Sequence, residues 1–354
     1  MMFYVAARLL WEWLHLVLPF RLCGFIPTRS NMHKSLGFCA AGILFFAFNA
    51  GSAIASPDLD TLPLGDGNNS VSGAKKNYTY TCRPGNPNAP GAVDDVPWIS
   101  GSTWSLPKKQ SLGTLPGKNL WPDAKYNQRE SGGWRTLSTS QVPTVGYTGN
   151  FPVSDDPTLS QYDRNPGVPA AAKSTIRIPL NPKAANKVSC LPFAGVATAL
   201  NGVTVYNAMD GKGNDARAHE VLDGCEGHPN QSNYHYHSGS KCAIKSFNSK
   251  ASTSTLWGYA DDGFGIYLVR NRSGNFLTNS QLDKCHGRTA KVKFNGKKQR
   301  IYHYVINDEY PYILGCFTGT ATSRGSSAGQ AITSPQGSQD LSNRPGPAER
   351  PPVS

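Results

Sequence analysis

This chain contains the segment Leu222-Asp223-Gly224-Cys225-Glu226-Gly227-His228, which is followed by Tyr234-His235-Tyr236-His237 and then by Cys242. The same order recurs downstream as Leu282-Asp283-Lys284-Cys285-His286-Gly287-Arg288, Tyr302-His303-Tyr304-Val305 and Cys316. So many coincidences in a fixed order indicate an internal repeat. We therefore expect two related elements that pack around a common centre.

The repeat concentrates the histidines of the chain. All six histidines after residue 55 fall within 85 residues. Successive side chains of a strand alternate between its faces, so His235 and His237 project together, about 7 Å apart along the strand. Two imidazoles on one face can bind one metal ion, and imidazole is a common ligand of zinc and copper. The pattern predicts a site for Zn or Cu with the ligands His219, His228, His235, His237 and His303.

Three carboxylates near these histidines, Glu220, Asp223 and Asp262, are predicted to orient the rings without binding the ion. The alternative is structural: histidines that lie under tyrosines and hydrogen-bond to backbone or carboxylate groups would only fix the packing of a small core. The ligand spacing of a zinc finger or a zincin is absent. The sequence leaves both interpretations open.

Residues 32–55 have the pattern of a secretory signal peptide, in which basic His33 and Lys34 precede an apolar run and small residues before Ser56. The preceding apolar run contains charged side chains, each of which costs about 2.5–3.5 kcal/mol at the bilayer centre. We therefore predict that translation starts at Met32 rather than Met1. The alternative is an uncleaved signal anchor, which would tether the protein to a membrane.

Six cysteines remain after such a leader, and an even number in an exported chain predicts up to three disulfides. Two short intervals each bracket one motif copy, which favours Cys225–Cys242 and Cys285–Cys316. The pair Cys82–Cys190 completes the set. These bonds and the leader together predict an extracytoplasmic protein, either periplasmic or secreted.

Glycine and proline are abundant and long apolar periodic runs are absent after residue 56, which favours short strands and turns. We expect a mostly β, sandwich-like, disulfide-bonded domain with long loops and disordered ends. The predicted divisions are an over-extended start at 1–31, a signal peptide at 32–55, a loosely structured N-terminal region at 56–140, the repeat-containing domain at 141–320 and a disordered tail at 321–354.

Several short segments are rich in β-branched residues and bounded by turns, and they are predicted to be strands: 174–179, 195–200 and 202–206. The turn Asn295-Gly296 predicts a two-residue hairpin, since Asn-Gly is the strongest short turn signal. Pairing Phe294 with Lys297 places one set of side chains on a buried face: Val292, Phe294, Ile301 and His303. The opposite face then carries Lys291, Lys293, Lys298, Arg300, Tyr302 and Tyr304.

The net charge of +12 is unevenly distributed, because residues 241–300 hold twelve Lys or Arg against three Asp. Such a stretch can attract an anionic ligand or polymer, such as phosphate, an anionic polysaccharide or lipid headgroups, although a solvated basic face is the simpler interpretation. No nuclease motif accompanies the charge, so no specific nucleic acid is expected. A membrane partner is expected only if the N-terminal segment stays uncleaved.

The motif resembles that of the family named for its YHYH sequence, over roughly residues 145–319. Further segments carry the likeness: Asn201-Gly202-Val203, Ala218-His219-Glu220, Asp262-Gly263-Phe264 and Tyr310-Pro311-Tyr312. The resemblance implies an exported, β-rich protein of a family without an established activity. The second copy departs from the pattern at Arg288 and Val305, which favours one composite metal site to which His303 contributes.

The sequence thus predicts an exported protein of unknown activity that binds a transition metal through a histidine cluster. Two alternatives remain. The first is a non-catalytic secreted or surface interaction module with structural histidines. The second is a metal-dependent hydrolase that acts on an anionic polymer, in which the ion acidifies a bound water. Whether the protein is an enzyme is not decided by the sequence.

Overall fold

The structure is a computed structural model that describes residues 57–113, 121–243 and 254–324. The predicted signal peptide at 32–55, the choice of start between Met1 and Met32, and residues 325–354 of the predicted tail lie outside the described residues. Part of the basic stretch, residues 244–253, lies outside them as well.

The described residues form eighteen strands, most of them short, and very little helix. In chain order the strands are β1 (Leu62–Pro63), β2 (Asn69–Ser70), β3 (Thr79–Tyr80), β4 (Ile99–Ser100), β5 (Thr103–Trp104), β6 (Tyr126–Ser131), β7 (Trp134–Thr139), β8 (Ser174–Pro179), β9 (Ala184–Ser189), β10 (Gly195–Ala199), β11 (Thr204–Tyr206), β12 (Gly227–Asn230), β13 (Asn233–Tyr236), β14 (Ser254–Ala260), β15 (Gly265–Val269), β16 (Gly287–Phe294), β17 (Lys297–Ile306) and β18 (Phe317–Gly319). The helical segments are α1 (Ala216–His219) and two 3₁₀ helices, Val153–Asp155 and Asn279–Gln281.

One eight-stranded sheet organises the molecule, with the order β12-β13-β11-β10-β14-β15-β17-β16. Two of its strand pairs are parallel, β11 with β13 and β15 with β17, and the others are antiparallel. The order is symmetric about the boundary between β10 and β14. Each half consists of two hairpins whose second strands pair in parallel, so the sequence repeat is also a repeat of structure.

The two halves share the registers of their outer hairpins. Gly227 pairs with Tyr236 and His228 pairs with His235 in the first half. In the second half Gly287 pairs with Tyr304 and Arg288 pairs with His303. Arg288 therefore occupies the position of His228 beside the equivalent histidine.

The expectation of a common centre is wrong. The symmetry relates β13 to β17 across a boundary in the middle of the sheet, so the two motif copies lie near its opposite edges. Four strands separate β13 from β17, which corresponds to roughly 24 Å at about 4.8 Å per strand. Side chains of the two copies cannot bind one ion across that distance.

A second sheet, β6-β7-β8, covers part of the main sheet. Its inward side chains Leu137 and Ile178 pack in one cluster with Tyr259, Tyr267 and Phe294 of the main sheet. Buried and partly exposed residues alternate along β7, as expected for a strand with one covered face. The mostly β, sandwich-like fold is confirmed.

The residues at both ends of the described chain also pack against this body. Residues 57–113 form only two-residue strands, yet Leu62, Trp98 and Trp104 lie in the largest apolar cluster. The described start of the predicted tail is ordered by contacts: Thr322 is buried, and Arg324 makes two hydrogen bonds, at 2.8 and 2.7 Å, to the carboxylate of Asp261.

The predicted strands at 174–179, 195–200 and 202–206 are confirmed as β8, β10 and β11. The predicted hairpin has the expected register, with Phe294 opposite Lys297. Val292, Phe294 and His303 are buried and Ile301 is partly buried, whereas the four cations of the opposite face are exposed.

The three predicted disulfides all form: Cys82–Cys190, Cys225–Cys242 and Cys285–Cys316. Each short one closes its own copy of the motif. Three such bonds are consistent with an oxidising compartment outside the cytoplasm. Within the described ranges, no helix is long and apolar enough to span a membrane.

Candidate metal centre

The turn that leads into the outer hairpin, before β12 in the first half and before β16 in the second, has the same construction in both halves. Asp223 Oδ1 accepts hydrogen bonds from the backbone N–H groups of Cys225 and Gly227, at 2.8 and 3.1 Å. Asp283 does the same for Cys285 and Gly287, at 2.9 and 3.0 Å. The Asp-x-Cys-x-Gly spacing therefore encodes this turn, which directs the chain into the outer hairpin.

The first tyrosine of each motif copy links the hairpin to this turn through a hydrogen bond. The Tyr234 hydroxyl donates to Asp223 at 2.7 Å, and the Tyr302 hydroxyl donates to Asp283 at 3.1 Å. A Cβ atom at Gly227 would overlap the Tyr234 hydroxyl, so this position requires glycine. The motif residues Asp223, Gly227 and Tyr234 thus hold β12 and β13 in a fixed position.

Three of the five predicted ligands meet at this hairpin. His228 on β12 lies directly opposite His235 on β13, and His237 follows the end of β13 on the same face. Ligand atoms of the three imidazoles all lie within 4.8 Å of one another, and each residue is 2–3% exposed. The Nε2 atoms of His235 and His237 are only 3.0 Å apart.

The protons of His235 and His237 are directed away from each other. His235 Nδ1 lies 3.0 Å from the carbonyl oxygen of Asn233, and His237 Nδ1 lies 2.5 Å from that of Asn207. A carbonyl oxygen only accepts, so each Nδ1 carries the proton of the neutral ring. The two Nε2 atoms therefore present lone pairs to each other.

His228 is held differently. Its Nδ1 lies 3.4 Å from the side-chain nitrogen of Asn165, which donates at 2.6 Å to the carbonyl oxygen of Pro229. Its Nε2 points toward Glu220 Oε2 at 3.1 Å, without the geometry of a hydrogen bond. His228 Nε2 and Glu220 Oε2 are both buried, and neither has a hydrogen-bond partner among the described residues.

Glu220 is closer to the histidines than the sequence led us to expect. Its Oε2 atom lies 3.1 Å from His228 Nε2 and 3.4 Å from His237 Nε2. The residue caps the C-terminal end of α1, and its backbone oxygen accepts a 2.7 Å hydrogen bond from Lys109 Nζ. The predicted role of orienting a ring from outside is replaced by a position in the cluster itself.

Burial controls the charge of the cluster. Desolvation lowers the pKa of His228 and of His237 to about 4, and it lowers the pKa of His235 well below its ordinary value. Desolvation raises the pKa of the Glu220 carboxyl. The three rings are therefore neutral at pH 7, and neutral imidazole is the form that binds a metal.

The other two predicted ligands lie elsewhere. His219 has both ring nitrogens engaged, Nε2 with Asp66 at 2.8 Å and Nδ1 with the carbonyl oxygen of Val93 at 3.2 Å. His303 lies on β17 in the second half of the sheet. The prediction of a composite site with His219 or His303 is thus corrected: one ring is already paired, and the other belongs to the far motif copy.

The remaining carboxylates that the sequence singled out support the motif tyrosines. Asp223 binds the turn and Tyr234 as described above, and it also accepts from the backbone of Gly149 at 2.7 Å. Asp262 accepts from the Tyr304 hydroxyl at 2.5 Å and from the backbone of Gly319 at 2.9 Å. Their hydrogen bonds go to hydroxyl and backbone groups rather than to imidazoles.

Sequence reasoning missed the groups that orient the rings, because backbone carbonyls carry no signature in a sequence. It also missed Tyr206, whose ring stacks on His235 with 4.0 Å between centroids. Tyr206 and Asn207 follow one another at the end of β11, and β11 pairs in parallel with β13. That pairing joins distant parts of the chain, so no local sequence pattern indicated that Tyr206 would contact a histidine.

The cluster lines a cavity of about 1020 Å³. The three histidines and Glu220 form part of its wall, and Phe193, Tyr206 and Met209 contribute apolar surface. Arg83 and Arg164 also line it and are exposed. The buried imidazoles therefore face a space large enough for a small molecule.

The corresponding place in the second half does not bring imidazoles together. Arg288 replaces His228, and Val305 replaces His237. His303 keeps the orientation of His235, since its Nδ1 donates at 3.1 Å to the carbonyl oxygen of Ile301, two residues earlier. Its Nε2 is buried and has no hydrogen-bond partner among the described residues.

Comparison with known proteins gives a family match for part of the chain. Residues 175–275 match a family model described as YHYH protein. The resemblance inferred from the motif is confirmed for this part of the chain, which includes the complete first copy. No curated protein and no solved structure matches the chain.

Proposed function

We propose that this YHYH-family protein holds one transition-metal ion, zinc or copper, through His228, His235 and His237 in a compartment outside the cytoplasm. The observation that carries the proposal is the pair of Nε2 atoms of His235 and His237, 3.0 Å apart, with both ring protons on the opposite nitrogens. Two buried lone pairs that face each other repel. A metal ion between them would accept both lone pairs and form a coordination bond to each ring.

Three of the distances are close to those of such an ion, and the ligand atoms of the three histidines all lie within 4.8 Å of one another. Zn–N bonds of 2.0–2.1 Å place the donor atoms of a tetrahedral site about 3.3–3.4 Å apart. The separations found are 3.0 Å between His235 and His237, and 3.1 and 3.4 Å from Glu220 Oε2 to His228 and His237. Imidazole nitrogen suits both zinc and copper, and this donor set does not choose between them.

Glu220 supplies the fourth donor in this proposal. Three neutral imidazoles contribute no charge, and a buried carboxylate is costly without a positive partner. Glu220 Oε2 has no hydrogen bond among the described residues, and no Lys or Arg in them forms an ion pair with it. A divalent ion would supply that positive charge.

The experiment measures metal content in matched variants. The purified protein is expected to contain about one equivalent of zinc or copper, and His235→Ala or His237→Val is expected to contain almost none. His303→Ala removes the equivalent buried imidazole of the second half and should leave the metal content unchanged. Equal metal content in all four proteins, or none in the unmodified protein, would remove the proposal.

The competing proposal is a non-catalytic interaction module in which the histidines only stabilise the fold. Thermal unfolding separates the two, because an ion that binds only the folded state stabilises it by about 2.7 kcal/mol at one hundred times its dissociation constant. We expect a strong chelator to lower the unfolding temperature of the unmodified protein and to leave that of His235→Ala unchanged. A chelator without effect on either protein would favour the structural role.

The cavity in front of the cluster favours a second candidate, a metal-dependent hydrolase. In such an enzyme the ion would keep one position for a water molecule, which it would acidify, and Glu220 would accept the proton instead of binding the ion. Glu220→Gln separates these roles. Loss of metal indicates a ligand, whereas retained metal with loss of hydrolysis of a chromogenic ester indicates a base.

A further inference from the structure

The outer hairpin of the second half, β16–β17, carries an ordered array of positive charges. Lys291 pairs with Arg300 across the hairpin, and Lys293 pairs with Lys298. These four side chains project from the same face because residues i and i+2 of a strand share a face. All four are exposed. We call them the basic ladder.

The repulsion between the four positive charges of the ladder destabilises the hairpin. Like charges directly opposite each other in an antiparallel pair are destabilising, and here two such pairs follow one another. Residues 287–306 contain no Asp or Glu that would compensate. Within the described ranges, none of the four cations forms an ion pair, although Arg135, Lys212, Arg217 and Arg324 each do.

The hairpin is nevertheless held rigidly from its other face. Val292 and Phe294 are buried against Leu137 and Ile178 of the second sheet. The turn is fixed as well, since the Asn295 side chain donates at 2.8 Å to the carbonyl oxygen of Leu180 and accepts from Arg135. The four cationic side chains therefore extend from a hairpin that is packed against the second sheet, and not from a mobile loop.

The spacing of the four cations favours an extended partner over a small ion. Opposite residues of an antiparallel pair lie about 4.5–5.5 Å apart, and successive pairs on one face lie about 7 Å apart along the strands. We infer that the basic ladder binds a linear acidic polysaccharide, whose negative groups repeat along one chain. An isolated small anion would use only part of this array.

Two other polyanions fit less well. Segments that insert into a membrane surface combine cations with apolar side chains, whereas the hairpin tip is Asn295-Gly296. Single-stranded nucleic acid binds through cations interleaved with exposed aromatic rings, and the tyrosines of this face, Tyr302 and Tyr304, are half-buried and buried. The ladder lies near the sheet edge opposite the histidine cluster, so this inference does not depend on the metal.

The test uses polygalacturonate as the acidic polymer and its fully methyl-esterified form as the neutral polymer. The quadruple variant Lys291→Gln, Lys293→Gln, Lys298→Gln, Arg300→Gln removes the ladder. The control variant removes four exposed lysines elsewhere and changes the net charge equally: Lys125→Gln, Lys173→Gln, Lys183→Gln and Lys187→Gln.

We expect the unmodified protein and the control variant to bind polygalacturonate at low ionic strength and the ladder variant to bind roughly tenfold or more weakly, with a flatter dependence on salt. The methyl ester should not bind. Equal weakening in both variants would show that only net charge matters, and it would overturn the inference. Tighter binding to single-stranded DNA or to phosphatidylglycerol vesicles would also overturn the choice of polysaccharide.

Discussion

His235 and His303 occupy equivalent positions in the two halves and are oriented in the same way. Each donates its Nδ1 proton to the carbonyl oxygen two residues earlier, at 3.0 and 3.1 Å. The strand backbone itself therefore orients each ring so that Nε2 points away from the backbone of its own strand. The neighbours differ: His235 has His228 and His237 beside it, whereas His303 has Arg288 and Val305. His303 therefore lacks the neighbouring imidazoles that, beside His235, form the proposed metal site.

At the same scale, the residue alternation that places His235 and His237 on one face was predictable from the sequence. The exclusion of His219 was not, because its partners Asp66 and Val93 come from a segment without periodic signal. The approach of Glu220 was equally hidden. It depends on how the end of α1 packs against a strand pair formed later in the chain.

Asp223 gives a prediction for stability against pH. Burial raises the pKa of its carboxyl to about 6, despite hydrogen bonds from three backbone N–H groups and from Tyr234. A raised pKa of an acid means that the folded state binds the proton more tightly than the unfolded state. The corresponding stabilisation is complete below the unfolded pKa near 4 and is lost as the pH rises through about 6.

Asp223→Asn removes this titration and the charged acceptor of three backbone donors. We expect the variant to be destabilised by a few kcal/mol at pH 7.5 and by about 2 kcal/mol more at pH 4.5. Urea unfolding of both proteins at the two pH values measures the difference, from which other titrating groups cancel. Asp283→Asn, which removes the exposed counterpart, should cost less. A destabilisation of Asp223→Asn that grows with pH would contradict this account.

At the scale of elements, local sequence signals predicted structure reliably, whereas the pairing of distant strands could not be predicted. Asn295-Gly296 and the alternation around it predicted the register of β16 and β17, because a two-residue turn determines which residues face each other. The parallel pairing of β11 with β13 leaves no such trace, since about 26 residues separate the two strands. The two-residue strands of the N-terminal region are too short for any period to be visible.

The two short disulfides can be compared directly, because each closes a loop around one copy of the motif. Cys225–Cys242 closes a loop of 17 residues around the histidine cluster, and Cys285–Cys316 closes one of 31 residues in the second half. Loops of these lengths correspond to about 3–4 kcal/mol each in the chain-entropy account. Replacing either pair by alanine should therefore lower the stability of the fold by a similar amount.

Metal affinity should respond to only one of these disulfides. We expect the Cys225→Ala/Cys242→Ala protein to bind zinc about ten- to a hundredfold more weakly, because the Asp-x-Cys-x-Gly turn that positions β12 loses its support. The Cys285→Ala/Cys316→Ala protein should keep its affinity. Zinc titration of both folded variants measures this, and equal weakening in the two would contradict a local role of the first bond.

For the whole molecule, the sequence indicated the fold class, the three disulfides and the repeat, but it placed the repeats wrongly. Sequence similarity between two halves shows that they are related and leaves open where their symmetry axis lies. Here the halves join along β10 and β14, which places their motifs at opposite ends of the sheet. The result is one molecule with two separated surfaces, a histidine cluster beside a cavity and a basic ladder near the far edge.

The central claim is that one ion lies among three buried nitrogen atoms of the first motif copy. X-ray data collected from crystals grown with zinc, on both sides of its absorption edge, test this directly. We predict a single strong anomalous peak about 2.0–2.1 Å from nitrogen atoms of His228, His235 and His237, with Glu220 Oε2 at about 2.0–2.2 Å. The absence of a peak there, or a peak bound only by other residues, would contradict the account.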